Sequence, residues 1–307
     1  MIILDGIIIV NKEQGYTSND VVQIVKKTFN EKVGHTGTLD PMATGVLPIL
    51  IGKGTLLSKY LINHDKIYVA TLKLGIKTDT GDITGDIINE SKVDTNILNE
   101  KNVLNALEEI KGKQEQIPPM YSAIKVNGKK LYEYARKGLT IDIQPRMINI
   151  YNTELLNIDI ENKEIQFRVE CSKGTYIRTL CEKIAEMIGT IGTMSSLNRE
   201  KVGEFEISQA IKVDEIKENF NLNNLISIEK FFQDKNKIRL SPRSFIAFIN
   251  GVKLLDDNED GIYRIYNANN EFVGIGTVKK GILKRDIVIW KLFWYNNNRR
   301  ANKWKTE

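Results

Sequence analysis

Asp40 is the one carboxylate in GHTGTLDPMATG, residues 34–45, and His35 precedes it by five positions among three Gly, three Thr and one Pro. A lone carboxylate can serve as a nucleophile or a local base when it is ionised and held still. Gly37 and Gly45 permit tight backbone paths, Pro41 fixes the next φ, and Thr36, Thr38 and Thr44 offer hydroxyls. The same residues also make an ordinary turn in which Asp40 bonds its own backbone. Read from this loop alone, both interpretations stand.

Other chemistries lack their residues. Zinc and iron sites need clustered His, Cys or carboxylate ligands, yet the chain has only His35 and His64, with no helical pairing between them. GKGT, residues 52–55, places its glycines wrongly for a phosphate-binding loop. DTGDITGD lacks calcium-loop spacing and reads as a turn. Neither His adjoins a Gly-x-Ser-x-Gly elbow. Cys171 and Cys181 form no metal pattern and fit reduced, buried thiols.

The elements that must position Asp40 follow from periodicity. Ile7 to Val10 is a short apolar run and predicts a buried strand. TSNDVVQIVKKTF predicts a helix capped by Thr17 or Ser18, with Val21, Ile24, Val25, Thr28 and Phe29 on one face. KIYVATLKLG alternates, with Tyr68, Ala70, Leu72 and Leu74 sharing a strand face. Val103, Leu104, Leu107 and Ile110 mark a helix; YSAIKV predicts a strand, followed by an Asn127–Gly128 turn. EIQFRVEC alternates strictly and leads into a helix from about Thr175 to Ile188, with a stripe of Ile177, Leu180, Cys181, Ile184 and Ile188. Arg178 falls roughly 120° from the centre of that stripe at about 100° per residue. FFQDKNKIRLSPRS reads as a linker, and YRIYNANNEFVGIGTVKK as strand–turn–strand.

No segment approaches the roughly 20 apolar residues of a membrane span, and the N-terminus has no basic region ahead of its apolar run. A cytoplasmic location is the expectation. The net charge is +5, unevenly spread: residues 279–305 hold nine Lys or Arg against Asp286, with Trp290, Phe293, Trp294, Tyr295 and Trp304 among them. Such a stretch suits a polyanion; it also suits a solvated tail.

The stretches GHTGTLDPMATGVLPILIGKGTLLSKYL, DKIYVATLKLGIKTDTGDITGD, QIPPMYSAIKVNGKKLYEYARKG and CSKGTYIRTLCEKIA closely resemble the bacterial tRNA pseudouridine synthase B (TruB) family. The resemblance covers most of residues 5–210 and is weaker in the C-terminal part. It implies an α+β architecture, the pseudouridine synthase fold: a mixed, largely antiparallel central sheet flanked by helices, plus a small β-rich PUA-like domain. It divides the chain into a catalytic domain, residues 1–232, and an RNA-binding domain, residues 238–307. The implied activity is isomerisation of uridine-55 in the T-loop of tRNA to pseudouridine by base flipping, with no cofactor and no metal. A monomer that meets the T-stem-loop and no membrane is expected.

By resemblance, Asp40 is the catalytic aspartate, Tyr68 stacks on the base and Arg178 pairs with Asp40. Leu197 packs on the base, His35 supports the flipped RNA, Asp82 lies near the nucleotide and Tyr176 joins the substrate site. Lys125, Lys129 and Lys130 are expected phosphate contacts. Leu56 stands where many family members are basic, which leaves Lys53 or Lys59 as substitutes. Two rivals remain at this point: a guide-RNA-directed pseudouridine synthase and a non-catalytic tRNA-binding or folding module.

Overall fold

The run GIIIVNK is apolar at consecutive positions because both faces of its strand are covered. A computed structural model, describing residues 4–290, places Gly6–Lys12 inside an eleven-stranded sheet. Ile8 and Val10 join one core with Val21 and Val25 of the helix Ser18–Phe29. Ile7 and Ile9 join a second core on the opposite face, with Leu61, Val202 and Phe232.

Along its main path the sheet runs Ile211–Lys212, Gly6–Lys12, Thr44–Ile51, Gly192–Val202, Lys66–Leu74, Glu164–Cys171, Arg146–Asp159 and Gly112–Gln116. Two of its pairings are parallel, Gly6–Lys12 with Ile211–Lys212 and Thr44–Ile51 with Gly192–Val202. The rest are antiparallel, as expected of a mixed and largely antiparallel sheet. Helices Ser18–Phe29, Glu100–Glu109 and Ile177–Ile188 bury their apolar stripes on one face.

Local signals set the helix ends. Thr17 and Asp20 form a reciprocal capping box, with Asp20 N–H donating to Thr17 Oγ1 at 3.1 Å and Thr17 N–H donating to Asp20 Oδ2 at 2.8 Å. Thr28 and Leu104, expected on core faces, are exposed, while Val22 is buried. The helix Ile177–Ile188 stops at Gly189, which takes the left-handed conformation at φ 93°.

Two expectations change. Within YSAIKV only Lys125–Val126 is strand, paired with Lys129–Lys130 in a small hairpin; Tyr121–Ala123 is a turn folded against the site. FFQDKNKIRLSPRS is no free linker. Phe232 packs into the second core, Lys237–Arg239 is a strand, and Ser241 caps a helix that begins at Pro242. Ile238 and Leu240 are apolar enough to bury, and Ser-Pro is a helix-start signature. That segment opens a five-stranded sheet in the order Lys237–Arg239, Gly261–Tyr266, Phe272–Lys279, Ile282–Val288, Leu254–Leu255.

The small sheet packs behind the large one. Its Ile275 and Ile287 enter the core that holds Ile7 and Ile9. Lys53 donates to the carbonyls of Val288 and Ile289 at 3.0 Å each, and Asp286 accepts from Lys59 and Tyr60. Lys53 and Lys59, expected as phosphate contacts in place of Leu56, thus hold the two sheets together. Leu56 itself is exposed. The basic and aromatic residues 291–305 lie outside the described residues.

Candidate active site

Residues on either side of Asp40 are pinned before its side chain is considered. The buried Ser18 hydroxyl accepts from Leu39 N–H at 2.9 Å and donates to Leu39 O at 3.2 Å. The Pro41 carbonyl accepts from Gly15 N–H at 2.9 Å and from Lys12 Nζ at 3.2 Å. Lys12, fully buried, also donates to Tyr16 O at 2.6 Å and Glu13 O at 3.0 Å. Burial pushes the Lys12 ammonium down to about 8, against the pull of Asp40.

Gly45, at φ 107°, closes the loop onto the sheet. A Cβ there would stand 2.2 Å from Arg199 O, so only glycine lets the parallel strands meet beside Asp40. This pairing sets Leu197 and Arg199 next to the loop.

Arg178 arrives from the helix Ile177–Ile188 and is buried. Its Nε lies 3.1 Å from Asp40 Oδ2, and its Nη2 donates to Asp40 Oδ1 at 3.4 Å. The remaining donors are committed: Nη1 to Thr80 O and Nη2 to Tyr121 O, each at 2.8 Å. The planar guanidinium therefore meets the carboxylate in one orientation. Asp82 Oδ2 sits 3.9 Å from Nη1, while its Oδ1 accepts from Thr84 N–H at 3.0 Å and from Thr80 Oγ1 at 3.1 Å. Burial raises the Asp40 pKa and Asp82 adds to that, whereas Arg178 and Lys12 oppose it. The carboxylate is thus held beside a cation but kept more basic than in water.

Tyr68, Leu197, Tyr176, Asp40 and Arg178 line one narrow cleft. Tyr68 and Leu197 come from adjacent strands, Tyr68 opposite Arg199 and Ala70 opposite Leu197. Burial raises the Tyr68 pKa, which keeps the phenol protonated. Tyr176 precedes the Arg178 helix and is clamped by Gln116, which accepts from its N–H at 2.8 Å and donates to its carbonyl at 3.0 Å.

The cleft opens into a cavity of about 710 Å³, within the range of about 300–1,000 Å³ for ligand pockets. Lys66, Arg146, Lys173, Arg178 and Arg199 line it against the single carboxylate of Asp40. Such a wall favours a polyanion. Lys125, Lys129 and Lys130 sit on the small hairpin, which leads through Leu131 into the helix bearing Tyr132, a lining residue. His35 ends the strand Val33–His35 and does not line the cavity; burial lowers its pKa, leaving it neutral, and its Nδ1 has no hydrogen-bond partner.

Three contributors escaped sequence reading. Lys12 ends an apolar run and looks like a solvated strand terminus. Arg199 is almost wholly buried, donating from Nε to Val46 O and from Nη2 to Gly37 O at 2.8 Å each. Tyr121 offers its carbonyl to Arg178 and donates its hydroxyl to Asp79 at 3.0 Å. Cross-strand position carries the Arg199 role, which spacing along one strand does not reveal. Among the described residues no group of three or more His, Cys, Asp or Glu is placed to hold a metal ion. None of their helices is long and apolar enough to cross a membrane.

Comparisons with known proteins identify relatives of this chain. The model of the TruB family pseudouridylate synthase N-terminal domain matches residues 25–177, and that of the pseudouridine synthase II TruB C-terminal region matches residues 237–285. The chain is 41% identical over 283 residues to a protein of Clostridium kluyveri called tRNA pseudouridine synthase B, covering 90% of this chain and 96% of the relative. A Francisella philomiragia protein of the same name is 43% identical over 285 residues, covering 91% and 93%. A solved structure of a Cbf5-Nop10-Gar1 complex contains a chain that superposes with a TM-score of 0.66 at 26% identity, over 95% of this chain and 87% of that one.

Proposed function

The chain belongs to the TruB family of pseudouridylate synthases, and on that footing we propose that it isomerises the uridine at position 55 in the T-loop of tRNA. The reaction breaks the bond from N1 of uracil to the ribose, rotates the base and joins C5 to the same carbon. N1 gains a proton and C5 loses one, so atoms and electrons balance without a redox partner. The single observation that carries this reading is the Asp40–Arg178 pair set beside Tyr68 in a cation-lined cavity.

The uridine must leave its stack to reach Asp40, at a cost of a few kcal/mol. Tyr68 supplies a replacement face worth on the order of 1–3 kcal/mol by analogy with single-strand binding, and Leu197 closes the opposite side. Asp40 attacks at the sugar or the ring, and Arg178 keeps its carboxylate ionised and oriented. His35 supports the displaced RNA, while Asp82 and Tyr176 border the nucleotide. Lys125, Lys129 and Lys130 meet the phosphates of the stem. Residues 1–232 form the catalytic domain and residues 238–307 an RNA-binding one. The enzyme acts as a cytoplasmic monomer. Relatives at 41–43% identity that carry the tRNA synthase name favour a stand-alone enzyme over a guide-RNA complex.

The test is direct. Purified protein alone, given an unmodified T-stem-loop tritiated at C5 of its uridine, should release tritium at the rate that pseudouridine appears. Activity that requires added protein or guide RNA would contradict the reading.

A further inference from the structure

The helix that carries Arg178 starts without help from its own cap. Tyr176 is the N-cap residue and makes no side-chain cap bond. The lead-in is open: Lys173 and Gly174 are exposed, and Gly174 takes φ 81°. Among the described residues, backbone groups from Lys173 to Tyr176 bond nothing outside this segment and its helix except at Tyr176, where both bonds go to Gln116. A first turn without a cap opens easily, and Arg178 is the second residue of that turn.

Gln116 is built to close it. Only 8% of the residue is exposed. Its amide sets a carbonyl and an NH2 group side by side, the pair that a neighbouring backbone would offer. Oε1 accepts from Tyr176 N–H at 2.8 Å, and Nε2 donates to Tyr176 O at 3.0 Å. The same Tyr176 oxygen accepts from Leu180 N–H at 3.2 Å, so the clamp and the first helical turn share an atom. Gln116 is itself anchored as the last residue of the edge strand Gly112–Gln116, paired with Arg146. Five residues further on, the Tyr121 carbonyl accepts from Arg178 Nη2 at 2.8 Å. Pro118 and Pro119 lie between and fix φ there. Residues 116–121 thus brace the helix start at two points, the backbone of Tyr176 and the guanidinium of Arg178.

We propose that Gln116 is a positioning residue of the reaction: by clamping the Tyr176 backbone to the edge strand, it holds Arg178 in line with Asp40. This rests on the pseudouridine synthase reading above. The test is a double-mutant cycle on T-stem-loop turnover, Gln116→Met alone, Arg178→Lys alone and both together. Gln116→Met should lower kcat about 10-fold, the scale of one or two hydrogen bonds, and leave KM within about twofold. In the Arg178→Lys background the same change should cost less than about twofold, because the group it positions is already lost. Gln116→Asn keeps the amide but falls short of both partners; it should fall between wild type and Gln116→Met, and it serves for the cycle if the methionine variant does not fold. An additive cycle, or a loss confined to KM, would overturn the proposal. Backbone hydrogen exchange is read on the same proteins without substrate: the Tyr176 and Leu180 amides should exchange at least about 10-fold faster in Gln116→Met. Unchanged exchange there would also overturn it. If the wild-type protein forms no pseudouridine, the functional reading fails instead, and the exchange result still decides whether Gln116 braces the helix.

Discussion

Asp40 and Arg178, 138 residues apart in the chain, meet through two guanidinium nitrogens, Nε 3.1 Å from Oδ2 and Nη2 3.4 Å from Oδ1. The arginine is anchored from behind by the Thr80 and Tyr121 carbonyls. The contact therefore aims a carboxylate that burial alone would tend to neutralise.

Lysine at position 178 keeps the charge but loses the fork and at least one carbonyl anchor. Arg178→Lys should lower kcat about 100-fold, the scale of one charge-assisted contact worth roughly 3 kcal/mol. Substrate affinity should change little. Single-turnover rates with saturating stem-loop would show this split; a loss confined to KM would contradict it.

The raised Asp40 pKa has a sign that can be checked. A nucleophilic carboxylate works when ionised, so activity falls as pH drops through its folded pKa, above the usual value of 3.8. The negative Asp82 contributes to the rise. Asp82→Asn keeps an oxygen for Thr80 and Thr84 but removes the charge, so the acid limb of the kcat/KM profile should move to lower pH. A shift to higher pH would refute the electrostatic picture.

Lys12 titrates the other way. Its folded pKa is about 8 against 10.5 in the unfolded chain, so the unfolded state holds more protons between those values. Stability from this group therefore rises as pH climbs from about 8 to 10.5. Urea unfolding across that window should show a steeper pH rise for the wild type than for Lys12→Met. Parallel curves would mean that Lys12 is not desolvated.

Replacing Lys125, Lys129 and Lys130 together by alanine should raise KM for the stem-loop and leave kcat nearly intact. The slope of log affinity against log salt should flatten by about 2, since each phosphate contact contributes roughly 0.7–0.9. An unchanged slope would take the hairpin out of the RNA contact surface.

Much of the sheet was legible because alternation is strict. Tyr68, Ala70 and Leu72 face one core, as do Ile165, Phe167, Val169 and Cys171. The Asp40–Arg178 partnership was legible only through resemblance; periodicity placed Arg178 off its helix's stripe but named no partner. Lys12 and Arg199 were illegible because cations at strand positions normally read as solvated. Here backbone carbonyls satisfy both, from Tyr16 and the distant Pro41 for Lys12 and from the distant Gly37 and Val46 for Arg199. The Lys237–Arg239 strand was hidden by its charged flanks, although Ile238 is buried between them.

The most direct measurement is pseudouridine formation by Asp40→Asn under single-turnover conditions with saturating T-stem-loop. The variant keeps the size of the side chain and loses the nucleophile, so turnover should vanish while affinity for the stem-loop stays within about threefold, under 0.7 kcal/mol. Substantial pseudouridine from the purified variant would remove Asp40 from the chemistry.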